Sequence, residues 1–169
     1  MSEGEEQQRR RGAAQEEGQE ASREVSLEER RAKRSATRAS QTYAAFIQHL
    51  CDRGGMSPAV AEEAAVSVLC ALEQRIFFQE ARDLEAQLPS KLTELLHRCE
   101  RHEGERPEKF GRDEMLRRVG EELHLEPDAV EPVVRAVLNA IRDQISEGEA
   151  EDVMGQLPED LRHLWSRVV

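Results

Sequence analysis

The sequence predicts an all-α protein: a tandem pair of small four-helix units packed as one helical bundle, preceded by a disordered or partly helical N-terminal tail. Three observations lead to this fold class. The chain repeats itself at an offset of 69 residues. Its apolar residues recur at three- and four-residue steps, which is the period of a helix packed on one side. No segment shows the strict alternation of apolar and polar residues that indicates a strand.

The repeat is clearest in two short strings, "EARDLEAQLP" ending at Pro89 and "EAEDVMGQLP" ending at Pro158. Around them the chain aligns with itself over 55 residue pairs without a gap, and 15 of these pairs are identical. This agreement indicates a duplicated unit. We expect the two copies to pack on each other about a pseudo-twofold axis, because each copy alone is too small to bury a large core.

Four segments follow from the repeat and from composition. Residues 1–42 form a polar, low-complexity extension, 43–100 the first helical repeat, 101–112 a polar linker and 113–169 the second helical repeat. The extension has no aromatic residue, one Val and one Leu. It therefore cannot bury enough apolar surface to offset the entropy of ordering, and either disorder or a transient helix is expected.

Each copy opens with an amphipathic helix, followed by a long helix of about five turns. The long helices follow Ser57-Pro58 and Glu126-Pro127, with Pro at the first helical position, where its missing N–H removes no hydrogen bond. Their buried stripes are expected at Ala61, Ala64, Ala65, Val68, Leu69, Leu72 and Ile76, and at Val130, Val133, Val134, Val137, Leu138, Ile141 and Ile145.

A short helix comes next in each copy, Glu80–Gln87 and Glu149–Gln156, and a last helix completes the unit. Between these two helices the string "QLP" recurs. Its Leu is expected to anchor the bend, and Pro89 and Pro158 to end one helix and begin the next.

The strings "FIQHLCDRGGMSPAVAEEAAVSVLCALEQRI", "EARDLEAQLP" and "SKLTELLHRC" resemble those of a prokaryotic family, the domain-of-unknown-function family 2267. The resemblance covers about residues 43–169, both copies, and leaves out the N-terminal extension. It implies an all-α fold. It implies no reaction and no catalytic residues, since the family has no established activity.

The polar residues that both copies share are interpreted as structural. They are Glu80, Asp83, Gln87, Pro89, Glu149, Asp152, Gln156 and Pro158. The acidic residues would favour the positive end of a short helix and complete a capping box, and the Gln residues would satisfy backbone carbonyls at helix ends. The alternative is that the paired carboxylates serve as acid and base, or bind a cation or a partner. Duplication favours the structural interpretation, because an active site is rarely needed twice.

Two groups of residues are candidates for partner binding. Phe77 and Phe78 stand where the second copy has polar residues, so they either pack between the copies or form a docking surface. The basic run that includes Arg30, Arg31, Lys33 and Arg34 would contact an acidic partner or phosphates, or remain a solvated tail.

The cysteine and histidine residues give only a weak metal signal. His97, Cys99 and His102 lie within six residues, but a fourth ligand is missing, and a buried thiol beside solvated histidines is the simpler interpretation. Three cysteines without paired spacing are expected to be reduced thiols of a cytoplasmic protein. No cofactor and no metal are therefore predicted.

Charge limits the classes of partner. Residues 1–42 have nine acidic and nine basic side chains, so the net charge of -11 lies on residues 43–169. A surface this negative repels phosphates, which makes nucleic acid an improbable partner, and neither a membrane span nor a secretory signal is expected. The sequence predicts a non-enzymatic helical adaptor or scaffold for an unknown protein partner or a second copy. The alternative is a sensor of a small ligand or cation in the cleft between the copies.

Overall fold

The computed structural model describes residues 3–97 and 106–166 of the chain. Within these residues all regular structure is helical, which confirms the all-α fold class. The eight helices are α1 (Glu3–Gly54), α2 (Pro58–Arg75), α3 (Phe78–Ala86), α4 (Ser90–His97), α5 (Arg112–Leu123), α6 (Pro127–Gln144), α7 (Glu147–Gln156) and α8 (Glu159–Trp165).

The chain divides into two compact units, Met1–Ser40 and Gln41–Val169. In the first unit, helix α1 covers the polar extension from Glu3 onward, so the structure has helix where disorder or a partial helix was expected. Glu, Gln, Arg and Ala are good helix formers, and pairs four residues apart add a few tenths of a kcal/mol each. The Arg10 guanidinium, for example, lies 3.2 Å from the Glu6 carboxylate.

The core lies in the second unit. The last three turns of α1 contribute Tyr43, Phe46 and Leu50, all buried. Helix α2 packs against α5 and α6, and α6 also packs against α8. Each fully buried Leu, Val or Phe side chain contributes about 1.5–3 kcal/mol of transfer free energy, so this shared interior is the main source of stability.

The apolar stripes predicted for the long helices are confirmed. All seven stripe positions of the first copy are buried, from Ala61 in α2 to Ile76 just after it. Five of the seven in the second copy are buried as well, with Val133 and Ile145 partly covered. Helix α2 begins as expected with Pro58, and the Ser57 hydroxyl accepts a hydrogen bond from the Val60 N–H at 3.4 Å. Burial along one face outweighs the weak helix propensity of Val in α6.

The "QLP" strings lie at the bends between the short and the last helices. Leu88 and Leu157 are buried, and Pro89 and Pro158 immediately precede α4 and α8. Helix α8 is fixed from its far end by Trp165, which is fully buried and whose indole N–H donates to the Ala150 carbonyl at 3.1 Å. The sequence prediction for these bends is confirmed.

The described end of the linker is more ordered than a polar linker would suggest. Phe110 is buried, its ring lies 4.3 Å from the Arg118 guanidinium, and its carbonyl accepts from Arg75 Nε at 3.0 Å. The Glu108 N–H donates to the Gln74 carbonyl at 2.8 Å. These contacts attach residues 106–111 to α2 and α5. One buried aromatic residue and a few hydrogen bonds to backbone groups hold this part of the linker in place despite its polar composition.

Among the described residues, no single helix has both the length and the apolar character that a membrane crossing requires. The bent pair of α1 and α2 reaches that length and apolar composition only when the two helices are taken together. The stripe of α2 faces the core of the second unit.

Candidate functional site

Helices α3 and α7 pack against each other, and two glutamines join them in a reciprocal way. Gln156, at the end of α7, accepts a hydrogen bond from the Phe77 N–H, just before α3, at 2.7 Å. Gln87, just after α3, accepts one from the Ser146 N–H, just before α7, also at 2.7 Å. Each glutamine therefore satisfies a free N–H at the start of the other helix.

The same two amides also contact carboxylates. The Gln156 Nε2 group donates to Glu80 Oε2 at 3.1 Å, and the Gln87 Nε2 group donates to Glu149 Oε2 at 3.5 Å. Gln87 and Gln156 were expected to satisfy backbone carbonyls at helix ends. That expectation is wrong for these contacts, because the amides bind N–H groups and carboxylates of the opposite helix.

The capping-box prediction also needs correction. In α7 the Ser146 hydroxyl accepts from the Glu149 N–H at 3.2 Å, but the Ser146 N–H is donated to Gln87 and not returned to the Glu149 carboxylate. In α3 the residue before the helix is Phe77, which offers no side-chain cap. The Glu80 and Glu149 carboxylates are thereby directed to the contact between α3 and α7.

Three carboxylates meet at this contact. One oxygen from each of Glu80, Glu149 and Asp152 lies within 4.8 Å of the others. Glu149 is buried, with 8% of its surface exposed, whereas Glu80 is half-buried and Asp152 is exposed. The Oε1 atoms of Glu80 and Glu149 are both buried, and neither receives a hydrogen bond from a donor group among the described residues.

This arrangement disfavours ionisation of the Glu149 carboxyl. Burial, a hydrogen bond with Glu80 and the negative charges of Glu80, Asp83 and Asp152 together raise the pKa of this carboxyl to about 7. Burial and like charges both disfavour the ionised form. Ionisable groups with strongly shifted pKa values cluster at functional sites. A buried acid with three acidic neighbours is therefore a candidate functional residue.

Asp83 and Asp152 occupy equivalent positions in the predicted copies but have different surroundings. Asp83 Oδ1 accepts from Gln79 Nε2 at 3.1 Å, which holds its side chain along α3. The residue equivalent to Gln79 is Gly148, which has no side chain. Asp152 joins the carboxylate cluster, while Asp83 acts on Glu149 by its charge.

Phe77 and Phe78 lie beside this contact, at the start of α3. Their exposed fractions are 62% and 40%, so neither ring is packed into the described interior. The Arg82 guanidinium lies 5.8 Å from the centroid of the Phe78 ring. Of the two alternatives for these residues, exposure favours a docking surface over packing between the copies.

The other candidates lie away from this contact or outside the described residues. Arg30, Arg31, Lys33 and Arg34 are exposed on α1, in the unit Met1–Ser40. Cys99 and His102 lie outside the described residues, as does the side chain of His97, which ends α4. The weak metal signal of these three residues therefore falls outside the part of the chain that the structure describes.

Sequence reasoning found the residues of the site but not their arrangement. It treated each duplicated pair as two separate features of two helix starts. The structure combines Glu80 and Gln87 with Glu149 and Gln156 in one place. Helices α3 and α7 each supply part of this contact, which explains why equivalent polar residues recur in the two repeated strings. The presence of these polar residues in both copies was the signal that could have revealed it.

Comparison with known proteins gives one match. The profile of a family described as "Uncharacterized conserved protein (DUF2267)" matches residues 43–164, which include all of α2 to α7 and most of α8. No curated protein matches the chain.

Proposed function

The chain belongs to the DUF2267 family of uncharacterized conserved proteins, and from the contact between α3 and α7 we propose that it is a non-enzymatic regulatory protein that responds to cations. The family description assigns no reaction, so the proposal depends on geometry and charge. In this account the cation neutralises the carboxylates at the contact. Its binding stabilises the paired helices.

The proposal includes a duplicated architecture, in which each copy supplies half of the site. Helices α2 and α6 begin and end 69 residues apart, at Pro58–Arg75 and Pro127–Gln144, which is the offset of the sequence repeat. Equivalent side chains also make equivalent contacts: Tyr43 bonds Glu62, and Arg112 bonds Glu131. These correspondences support two copies related by an approximate twofold axis, as reciprocal contacts require.

The burial of Glu149 carries the functional part of the proposal. Its pKa of about 7 means that near neutral pH a large fraction of the carboxyl is ionised, although it is covered and faces Glu80, Asp83 and Asp152. A bound cation directly offsets the unfavourable burial of the ionised Glu149 carboxylate and its repulsion by the neighbouring acids. A ligand that binds only the folded state stabilises it by an amount set by its concentration and affinity.

Thermal unfolding of the whole protein tests the proposal. After chelation and at about pH 8, Ca²⁺, Mn²⁺, Mg²⁺ and spermidine are added separately at matched ionic strength. At least one should raise the Tm by several degrees. The Glu149→Gln variant should lose this response, and Glu147→Gln should keep it, because Glu147 is exposed on the same helix and changes the charge equally. Equal responses of all three proteins would contradict the proposal.

A second candidate function is that of a protein-interaction scaffold, which the exposed Phe77 and Phe78 favour. Adjacent aromatic residues on a surface are typical of docking sites. A partner that uses them should be retained by the full chain and by residues 41–169 and lost when both are replaced by Ser. Retention by the double variant, with loss on removal of the extension, would assign binding to the Arg30–Arg34 region instead.

A further inference from the structure

Resting on the proposed function, we infer that the cation is a single hard divalent metal ion of the Ca²⁺ class, ligated by carboxylate oxygens of Glu80 from α3 and of Glu149 and Asp152 from α7. The site would be formed only when the two helices are together. An ion of the Ca²⁺ class would then be the effector that the proposed function leaves open.

The spacing of the oxygens fits such an ion. The three ligand atoms lie within 4.8 Å of one another. Oxygens bind Ca²⁺ at about 2.3–2.6 Å, so two ligands on opposite sides of the ion are at most about 5 Å apart. Mg²⁺ needs oxygens at about 2.0–2.1 Å, so its ligands are at most about 4.2 Å apart, and it demands near-ideal octahedral geometry. An upper limit of 4.8 Å lies within the range for Ca²⁺, and the tolerance of Ca²⁺ for irregular geometry favours it at this contact.

The buried oxygens provide the second observation. Glu149 is more than nine-tenths buried, and its Oε1 atom and that of Glu80 receive no hydrogen bond from a donor group among the described residues, so only a proton shared by the two carboxyls or an external cation can satisfy them. A buried acceptor without a partner destabilises the folded state, and more so when it is charged. The other oxygen of each carboxylate is held by Gln156 or Gln87. The amides thus fix both groups with one oxygen left toward the cluster.

A shared proton satisfies this cluster less completely than a metal ion does. A proton between Glu80 and Glu149 would satisfy one oxygen of each, as in other close carboxyl pairs. It would not involve Asp152, whose exposed carboxylate stays hydrated, and it would neutralise one charge among the four acids that act on the site. A divalent ion contacts all three oxygens and neutralises two charges.

The chemistry of the ligands selects the class of metal. All three ligands are carboxylates, which suit Ca²⁺, Mn²⁺ and Mg²⁺, whereas Zn²⁺ prefers sites with His or Cys. Asp83 provides a matched comparison with Asp152. It contributes negative charge but is held by Gln79, so it should influence affinity without ligating the ion.

Isothermal titration calorimetry on the chelated full chain at about pH 8 tests the inference, with Ca²⁺, Mn²⁺, Mg²⁺ and spermidine as separate titrants. Ca²⁺ should bind with one site per chain and more tightly than Mg²⁺. Glu149→Gln and Asp152→Asn should each weaken Ca²⁺ binding about tenfold or more, as the loss of a charged ligand does. Asp83→Asn should weaken it less, and the exposed Glu151→Gln should have little effect. Far-UV circular dichroism checks that each variant is folded.

Each remaining outcome contradicts a defined part of the account. Binding of spermidine without binding of metal ions would overturn this inference and leave the cation-responsive function standing. Metal binding that is unchanged in Glu149→Gln and Asp152→Asn would place the ion elsewhere and overturn the inference. If neither metals nor spermidine bind or stabilise the protein, the inference and the proposed function both fail.

Discussion

Glu149 combines burial with three acidic neighbours, and this combination makes the stability of the protein depend on pH. Its carboxyl has a pKa of about 7 in the folded protein and an ordinary value near 4.5 when exposed. Between these values the folded state holds a proton that the unfolded state has released. The stabilisation is complete below about pH 4.5 and is lost as the pH rises through about 7.

The loss of stability with rising pH gives a prediction for the metal-free protein. Its Tm should fall between about pH 5.5 and pH 8 more steeply than that of Glu149→Gln, whose amide resembles the protonated carboxyl. At pH 8 the variant should be more stable by on the order of 2 kcal/mol, which is about 4–8 °C. Thermal unfolding monitored by circular dichroism, with a chelator present, measures both slopes. Parallel slopes for the two proteins would show that Glu149 does not carry this pH dependence.

At the scale of single elements, α3 and α7 differ in how they begin. Ser146 caps α7, since its hydroxyl accepts from the Glu149 N–H at 3.2 Å. Phe77 occupies the same position before α3, cannot cap it, and is 62% exposed. Helix α3 therefore depends more on the Gln156 amide from the opposite helix, which accepts from the Phe77 N–H. The start of α3 should be the less stable of the two.

Two substitutions test this difference. Ser146→Ala should lower the free energy of unfolding by about 1 kcal/mol, because it removes the cap. Phe77→Ser should raise it by up to about the same amount, because it introduces a cap and removes an exposed ring. Urea unfolding measures both changes. A stabilising Ser146→Ala, or a strongly destabilising Phe77→Ser, would mean that the capping account of these helices is wrong.

The helices could be predicted from sequence because their signals are local. The stripe of α2, with Ala61, Val68 and Leu72, appears within a single window of helical period, and Pro89 marks a bend by its own chemistry. The site could be predicted only in part. The bond from the Phe77 N–H to Gln156 joins residues 79 positions apart, and no local pattern specifies such a partner. Burial of Phe110 likewise depends on α5, which supplies Arg118.

At the scale of the whole molecule, the two units have different sources of stability. The unit Gln41–Val169 contains all of the core residues, while α1 within Met1–Ser40 is a helix of exposed polar side chains. Such a helix depends on propensity and on pairs four residues apart. The helix of the extension should therefore melt over a broad temperature range, and the core should unfold cooperatively.

Removal of the first unit tests this division. A protein of residues 41–169 should unfold cooperatively with a Tm within about 3 °C of the full chain, since it retains every apolar residue that is buried in the described part of the chain. Its helical circular dichroism signal should decrease by the share of α1 that is removed. Differential scanning calorimetry compares the two proteins. Loss of the cooperative transition would show that the extension is required for the core to fold.

The central claim is that two helical copies form one metal site between α3 and α7. Crystals of the full chain grown without divalent ions and then soaked in MnCl₂ test it most directly, because anomalous scattering locates manganese. The account predicts a peak within coordination distance, about 2.0–2.6 Å, of oxygens from Glu80, Glu149 and Asp152. A map with manganese bound elsewhere, and the Glu80 and Glu149 carboxyl groups bonded only to each other, would contradict it.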